Sequence, residues 1–213
     1  MQILAISKPR NVEEIRLLHK HHQLRARVFS DRLGWEVDVI GGHESDCFDA
    51  LEPTYILAVS DDGQLVGCAR LLPALGPTML AEVFPSLLPS GGLRAHIGMI
   101  ESSRFCVDTS IEEGRGGGSV HEATLTMFAG IVEWSVAHRF TEIVTVTDLR
   151  FERILARVGW PLQRLGEPKE IGATMAVAGI LPANRDTLLN LRHANYRSNI
   201  IHPLLPSSLA RSQ

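Results

Sequence analysis

Residues 98–108 read GMIESSRFCVD, and the fold turns on how that stretch is taken. Ile97, Met99, Ile100, Phe105 and Val107 are apolar or β-prone and predict a strand through the middle of a sheet. Glu101 and Arg104 sit inside the same run. A buried charge is costly unless it is paired, so a central strand here needs counter-charges from elsewhere in the chain. Simple alternation places Glu101, Ser103 and Phe105 on one face and Arg104 on the other.

The flanking segments supply the rest of a sheet. Residues 2–6, QILAI, read as an opening strand. Apolar residues recur at Val12, Ile15, Leu18, Leu24 and Val28, predicting an amphipathic helix N-capped by Asn11 and stopped near Gly34. Residues 40–53 are polar, acidic and glycine-containing, and predict a long loop. TYILAVS (54–60) and LVGCARLL (65–72) flank an Asp-Gly turn, the pattern of a β-hairpin. A short helix or turn is expected over 79–88. EEGRGGGS (112–119) predicts a flexible surface loop, and a helix follows from Ser119 to His138 with Glu122 completing a capping box. EIVTVT (142–147) is β-branched enough for a central strand, and Asp148 caps a helix reaching Val158. Strands are expected near 161–166 and 173–181, with a short helix near 185–194. The order describes an α/β fold of the α+β sandwich kind: one mixed sheet flanked by helices, a single domain over 1–205 and a flexible tail over 206–213.

The 213 residues carry a formal net charge of -3, with 45% hydrophobic and 21% charged residues. That balance is ordinary for a globular protein and gives no reason to expect nucleic acid as a partner. No apolar run is long enough to span a bilayer and no basic-then-apolar leader opens the chain, so a cytoplasmic location is expected. Cys47, Cys68 and Cys106 are odd in number and lack a CxxC pair, which argues against a disulfide framework or a zinc site. His19 and His22 in HKHH (19–22) have metal-pair spacing on a helix. No carboxylate or cysteine joins them, so the stretch reads as a solvated helix face and no metal is assigned.

Arg25, Arg70 and Arg104 fall in segments that read as buried, and buried arginines need carboxylates. Asp46 and Asp49 of the acidic loop, with Glu101, are the candidates. Two readings stay open. The set is either an ion network that holds a loop on a sheet, or a polar pocket for a zwitterionic small molecule. Phe29, Trp35 and Phe84 lie near it in sequence or in the predicted fold; aromatics beside carboxylates suit a sulfonium or ammonium, with ordinary core packing the alternative. The glycines at 116–118 would cradle a pyrophosphate at a helix start or serve only as a connector.

LRARVFSDRLGW (24–35), ESDCFDAL (44–51), GCARLL (67–72), GPTMLAEVFPSLL (76–88) and ESSRFCVD (101–108) together resemble the ordered signature segments of acyl-homoserine lactone synthases, the autoinducer synthases of bacterial quorum sensing. The resemblance continues through TLTMFAGIVEWS (124–135) and EIVTVTDLRFERILARVGWP (142–161), and is nearest to the rhizobial type associated with plasmid transfer. It implies a GNAT-like fold, S-adenosylmethionine as amino donor and substrate, an acyl chain on acyl carrier protein or less often on coenzyme A, and no separate cofactor. The acyl group passes to the amine, the homoserine part closes to a lactone, and methylthioadenosine leaves. Arg25, Phe29, Trp35, Asp46, Asp49, Arg70, Phe84, Glu101 and Arg104 stand at the family's positions. A neutral amine is needed to attack a thioester, and the resemblance makes Glu101 the candidate general base. Ser103 is expected to touch the amino acid part, and Arg104 to brace the acidic loop. The acyl chain is expected along Phe105, Leu125, Met127, Thr145 and Thr147, with a threonine of that strand implying a 3-oxo chain of medium length. Arg150, Arg153 and Arg157 match the basic positions that dock the carrier protein, or form a solvated helix face. The alternative is a GNAT-type N-acyltransferase using acyl-CoA and a different amine.

Overall fold

The computed structural model describes residues 1–108 and 120–200. The glycine loop, Ser119 and the expected tail therefore lie outside the described residues. In chain order the elements are β1 (Gln2–Ile6), α1 (Val12–Arg25), β2 (Val39–Ile40), β3 (His43–Glu44), β4 (Thr54–Val59), β5 (Leu65–Pro73), α2 (Met79–Glu82), β6 (Met99–Val107), α3 (Glu122–Ala137), β7 (Glu142–Asp148), α4 (Leu149–Arg157), β8 (Gln163–Arg164), β9 (Lys169–Ile171), β10 (Thr174–Pro182) and α5 (Arg185–Leu191). One mixed sheet runs β1-β4-β5-β6-β7-β10-β8, and β9 also pairs with β10. β6 and β7 are its parallel pair; the other pairings in this sheet are antiparallel.

The sheet separates two apolar layers. Ile3, Ile56, Ile100, Val107 and Ile143 pack with Met127, Phe128 and Ile131 of α3. Ile6, Leu57, Cys68 and Cys106 pack with Leu17, Leu24, Val28 and Phe29 of α1 and its extension. Gly130 lets α3 press onto β1, since a β-carbon there would stand 2.9 Å from Ile3. Gly63, at φ 80°, closes the β4–β5 hairpin in the Asp-Gly turn.

Several local expectations need correction. Val12 and Ile15 are largely exposed, and the buried face of α1 is Leu17, His21, Leu24 and Arg25. Two polar residues on that face hide it from a search for apolar periodicity. Beyond Arg25 the helix is not α-helical but runs on as a π-helical segment, Ala26–Arg32, ending close to Gly34. The loop over 40–53 contains the small β2–β3 hairpin and a 3-10 turn, Cys47–Leu51. α3 starts later than expected, with the His121 side chain accepting from Ala123 N.

The largest correction concerns the opening stretch. Ser103 pairs with Arg70 and Cys106 with Cys68, so three steps on β6 oppose two on β5. The extra residue is a β-bulge, and Arg104 within it has φ 52°. Alternation therefore breaks at this point. Glu101, Ser103, Arg104 and Cys106 share the α1 side, whereas Phe105 turns to α3 and lies 5.3 Å from Phe128 and 4.9 Å from Phe151.

Candidate active site

The bulge brings Arg104 beside Arg70, and α1 delivers Arg25 to the same place. The chain crosses from β3 into the Cys47–Leu51 turn directly opposite, carrying Glu44, Asp46 and Asp49. Asp46 N-caps that turn by accepting from Phe48 N, and the Asp49 carboxylate accepts from Asp46 N in return at 2.9 Å. The capping box orients both carboxylates through bonds within the turn itself.

Each arginine is then shared between acids. Arg25 donates to Glu44 through Nε and forks onto Asp49 at 2.8 and 3.0 Å. Arg70 forks onto Asp46, reaches Asp49 Oδ1 at 2.9 Å, and donates from Nε to the Ser103 hydroxyl at 3.2 Å. Arg104 donates to Glu44 at 3.0 Å and pairs with Asp46 at 2.8 Å. Three guanidinium charges thus meet three carboxylate charges, so the cluster is internally balanced. Burial alone would raise the Asp49 carboxyl, but the hydrogen bond and charge of Arg25, with the charge of Arg70, hold it well below the usual carboxylate range.

Exposure divides the cluster into a base and a rim. The side chains of Arg25, Glu44 and Arg70 are 0% exposed, whereas Arg104, Asp46 and Asp49 keep 13%, 15% and 11%. The first three brace; the last three can touch a ligand. Beside the rim, the Arg104 guanidinium lies 5.6 Å from the Phe29 ring centroid, and Trp35 stacks on Phe29 at 5.2 Å with the rings nearly parallel. Trp35 remains 43% exposed, leaving its outer face open. Phe84 is half-buried against Phe48, Leu72 and Met79, and Arg70 lies 5.4 Å from the Phe48 ring.

Glu101 is placed apart from this network. It pairs with none of the three arginines, correcting that expectation. Its two carboxylate oxygens accept from Leu80 N at 2.7 Å and Met79 N at 3.0 Å, holding the first turn of α2. The residue is 2% exposed, and burial raises its carboxyl above the ordinary value despite the two N–H bonds.

Four contributors were missed from sequence. Glu44 is the third acid; with Glu101 taken by α2, a count of the buried arginines against Asp46 and Asp49 calls for one more carboxylate. Tyr55 donates to Asp49 at 2.7 Å, and burial together with the Asp49 charge raises its phenol. His21 is fully buried with its ring centroid 4.2 Å from that of Tyr55, the rings tilted by 49°, and His22 bonds the Glu44 carbonyl at 2.7 Å through Nδ1. Half of HKHH is therefore not a solvated face; the spacing of 21 from Leu17 and Leu24 is the signal that could have shown it. Desolvation keeps both imidazoles below their usual pKa. Among the described residues no group of three or more His, Cys, Asp or Glu side chains is placed to hold a metal ion.

On the other face of the sheet, β6 and β7 pair only over Met99–Glu101 and Glu142–Val144, although they run on to Val107 and Asp148. The strands splay beyond that point, and the Thr145 hydroxyl donates to the Ser102 carbonyl at 2.8 Å where backbone pairing stops. Thr145, Thr147 and Phe105 are half-buried here, and Met127 is fully buried. Leu125 is half-buried on α3, two residues from Met127. Arg150, Arg153 and Arg157 are exposed on α4 and make no ion pair among the described residues.

A model of the autoinducer synthase family matches residues 10–191. The chain belongs to that family. It is 77% identical over 201 residues to a Sinorhizobium fredii protein described as "Probable acyl-homoserine-lactone synthase", covering 94% of this chain and 97% of that one. An acyl-homoserine-lactone synthase of Agrobacterium fabrum is 58% identical over 186 residues, 87% of this chain and 88% of the other. Among solved structures, the acyl-homoserine-lactone synthase LasI superposes with a TM-score of 0.77 at 33% identity, covering 89% and 92% of the two chains. The CoA-dependent synthase BjaI, solved with SAM and isopentyl-CoA, gives 0.78 at 25% identity over 89% and 86%. A Lactobacillus plantarum protein described as "putative N-acetyltransferase" shares the fold alone, at a TM-score of 0.55 and 15% identity. This autoinducer synthase is thus an acyltransferase on a GNAT-like fold. No helix among its described residues is long and apolar enough to cross a membrane.

Proposed function

We propose that the enzyme is cytoplasmic and transfers a medium-length 3-oxo acyl chain from acyl carrier protein to the amine of S-adenosylmethionine, then releases a lactone and methylthioadenosine. The observation that carries the reading is the splay between β6 and β7. We read the unpaired stretch beyond it as a passage through the sheet, with the Arg–acid rim on the α1 side and the apolar lining of Phe105 and Met127 on the α3 side. A charged donor on one face and an acyl chain on the other meet in that passage.

On the polar face, Asp46, Asp49 and Arg104 receive the amino and carboxylate groups, while Trp35 and Phe29 lie against the sulfonium. Arg25, Glu44 and Arg70 hold those groups still, and Ser103, whose hydroxyl accepts from Arg70, keeps its own O–H to donate to the amino acid part. Phe84 and Phe48 wall the side toward α2. Glu101 takes the amine proton through a water on its remaining lone pairs; its raised carboxyl suits a base. The neutral nitrogen then attacks the thioester carbon and the thiol leaves. Closure follows when a carboxylate oxygen displaces the sulfur at the carbon bearing the sulfonium, which needs chiefly orientation. Thr145 transfers its hydroxyl hydrogen bond from the Ser102 carbonyl to the 3-oxo oxygen. Arg150, Arg153 and Arg157 present three exposed cations to the acidic carrier protein.

Purified enzyme with S-adenosylmethionine and 3-oxo-acyl carrier protein should release methylthioadenosine, and more slowly with the matching acyl-CoA. Absence of release with short, medium and long chains on either carrier would overturn the proposal. Glu101→Gln should slow turnover severely; a near-normal rate removes Glu101 as base. Because a glutamine amide would face the Met79 or Leu80 N–H, the variant also needs a melting curve to separate chemistry from loss of α2.

A further inference from the structure

Gly67 lies on β5 between Ala58 of β4 and Val107 of β6, both members of the core layer beneath α3. Directly above it sits Met127. A β-carbon at Gly67 would come within 3.0 Å of Met127 Cγ and 3.2 Å of its Sδ, closer than ordinary van der Waals contact. Met127 is 0% exposed and belongs to the same cluster as Phe128 and Val107, with Phe105 packed against it. A long unbranched thioether thus stands on a missing side chain. Methionine has three rotatable bonds and fills irregular gaps, so it can change its reach where a branched residue cannot.

We infer that the Gly67–Met127 contact sets the length of acyl chain that the enzyme accepts: Met127 is the floor of the acyl site, and the bare backbone of Gly67 is the space into which it settles. The inference rests on the acyl chain lying between the sheet and α3. Any side chain at 67 pushes Met127 outward by a few tenths of an ångström or more and shortens the site. Truncating Met127 deepens it. One methylene in an apolar pocket is worth about 10- to 200-fold in discrimination, so small shifts of the floor are readable in the products.

The test is a competition among acyl carrier protein thioesters of graded length, with total methylthioadenosine measured by chromatography and the lactone profile by mass spectrometry. Gly67→Ala should lower the ratio of longer to shorter product by about tenfold or more while methylthioadenosine release continues. Met127→Ala should raise that ratio. In the Met127→Ala background, Gly67→Ala has nothing left to push, so the double variant should keep the Met127→Ala profile. An unchanged profile in Gly67→Ala overturns the inference. So does a Gly67→Ala shift that persists in full without the methionine. If Gly67→Ala does not fold, Met127→Ala alone decides, and an unaltered chain-length ratio in it refutes the floor. Failure of the wild-type enzyme to release methylthioadenosine would instead refute the reading on which the inference stands.

Discussion

Glu44→Gln is the sharpest probe of the ion cluster, because it removes one charge and almost no volume. The Glu44 carboxylate is fully buried and gives one oxygen to Arg25 and the other to Arg104. A glutamine can accept from only one of them and must point its amide N–H at the other. Three guanidinium charges would then face two carboxylates. Breaking a buried pair in this way costs about 3–5 kcal/mol. Arg25 keeps both bonds to Asp49, and Arg104 keeps Asp46, so the cost should fall at the lower end. For a chain of this size, each kcal/mol lowers the melting temperature by about 2–4 °C, giving a drop of roughly 6–12 °C for a loss of about 3 kcal/mol. Urea unfolding at pH 7 with unchanged m measures the free energy directly. Combining Glu44→Gln with Arg104→Met should cost less than the sum of the singles by about 0.5–3 kcal/mol, because the second change removes a charge that the first left unpaired. A single-variant loss below about 1 kcal/mol, the size of an ordinary hydrogen bond, would show that Glu44 is not the counter-charge described.

His21 stays neutral in the fold, its pKa lowered by burial, while in the unfolded chain it titrates near its ordinary value. The unfolded state therefore binds the extra proton, so stability falls as pH drops below the unfolded pKa, by up to about 1.4 kcal/mol per pH unit. Urea midpoints compared at pH 7 and pH 5.5 should fall less in His21→Phe than in wild type, and equal falls would refute the assignment. Thr145→Val should erase any preference for 3-oxo over unsubstituted acyl carrier protein in kcat/KM; a retained preference would move the contact elsewhere, Thr147 first. Arg153→Glu combined with Arg157→Glu should raise KM for acyl carrier protein and weaken its salt dependence with kcat little changed. An unaltered KM would return that helix face to simple solvation.

Local sequence determined a good deal of this protein. Asn11 capping α1, the Asp-Gly turn of the β4–β5 hairpin and Asp148 capping α4 are interactions within a few residues, so they are legible where they stand. The presence of charges in a central strand likewise announced partners, and the ordered motifs named the family. What the sequence could not state was which side each charge faced. Alternation has a period of two only while the ladder is regular, and the bulge at Arg104 adds a residue that shifts every later side chain. The shift carries Arg104 to the acids and Phe105 to the α3 side. Glu101 and Glu44 look interchangeable as buried acids in the chain; the placement of α2's first N–H groups claims one and leaves the other to the arginines. Those assignments depend on groups 19 to 60 residues apart meeting in space, and only the packed sheet brings them together.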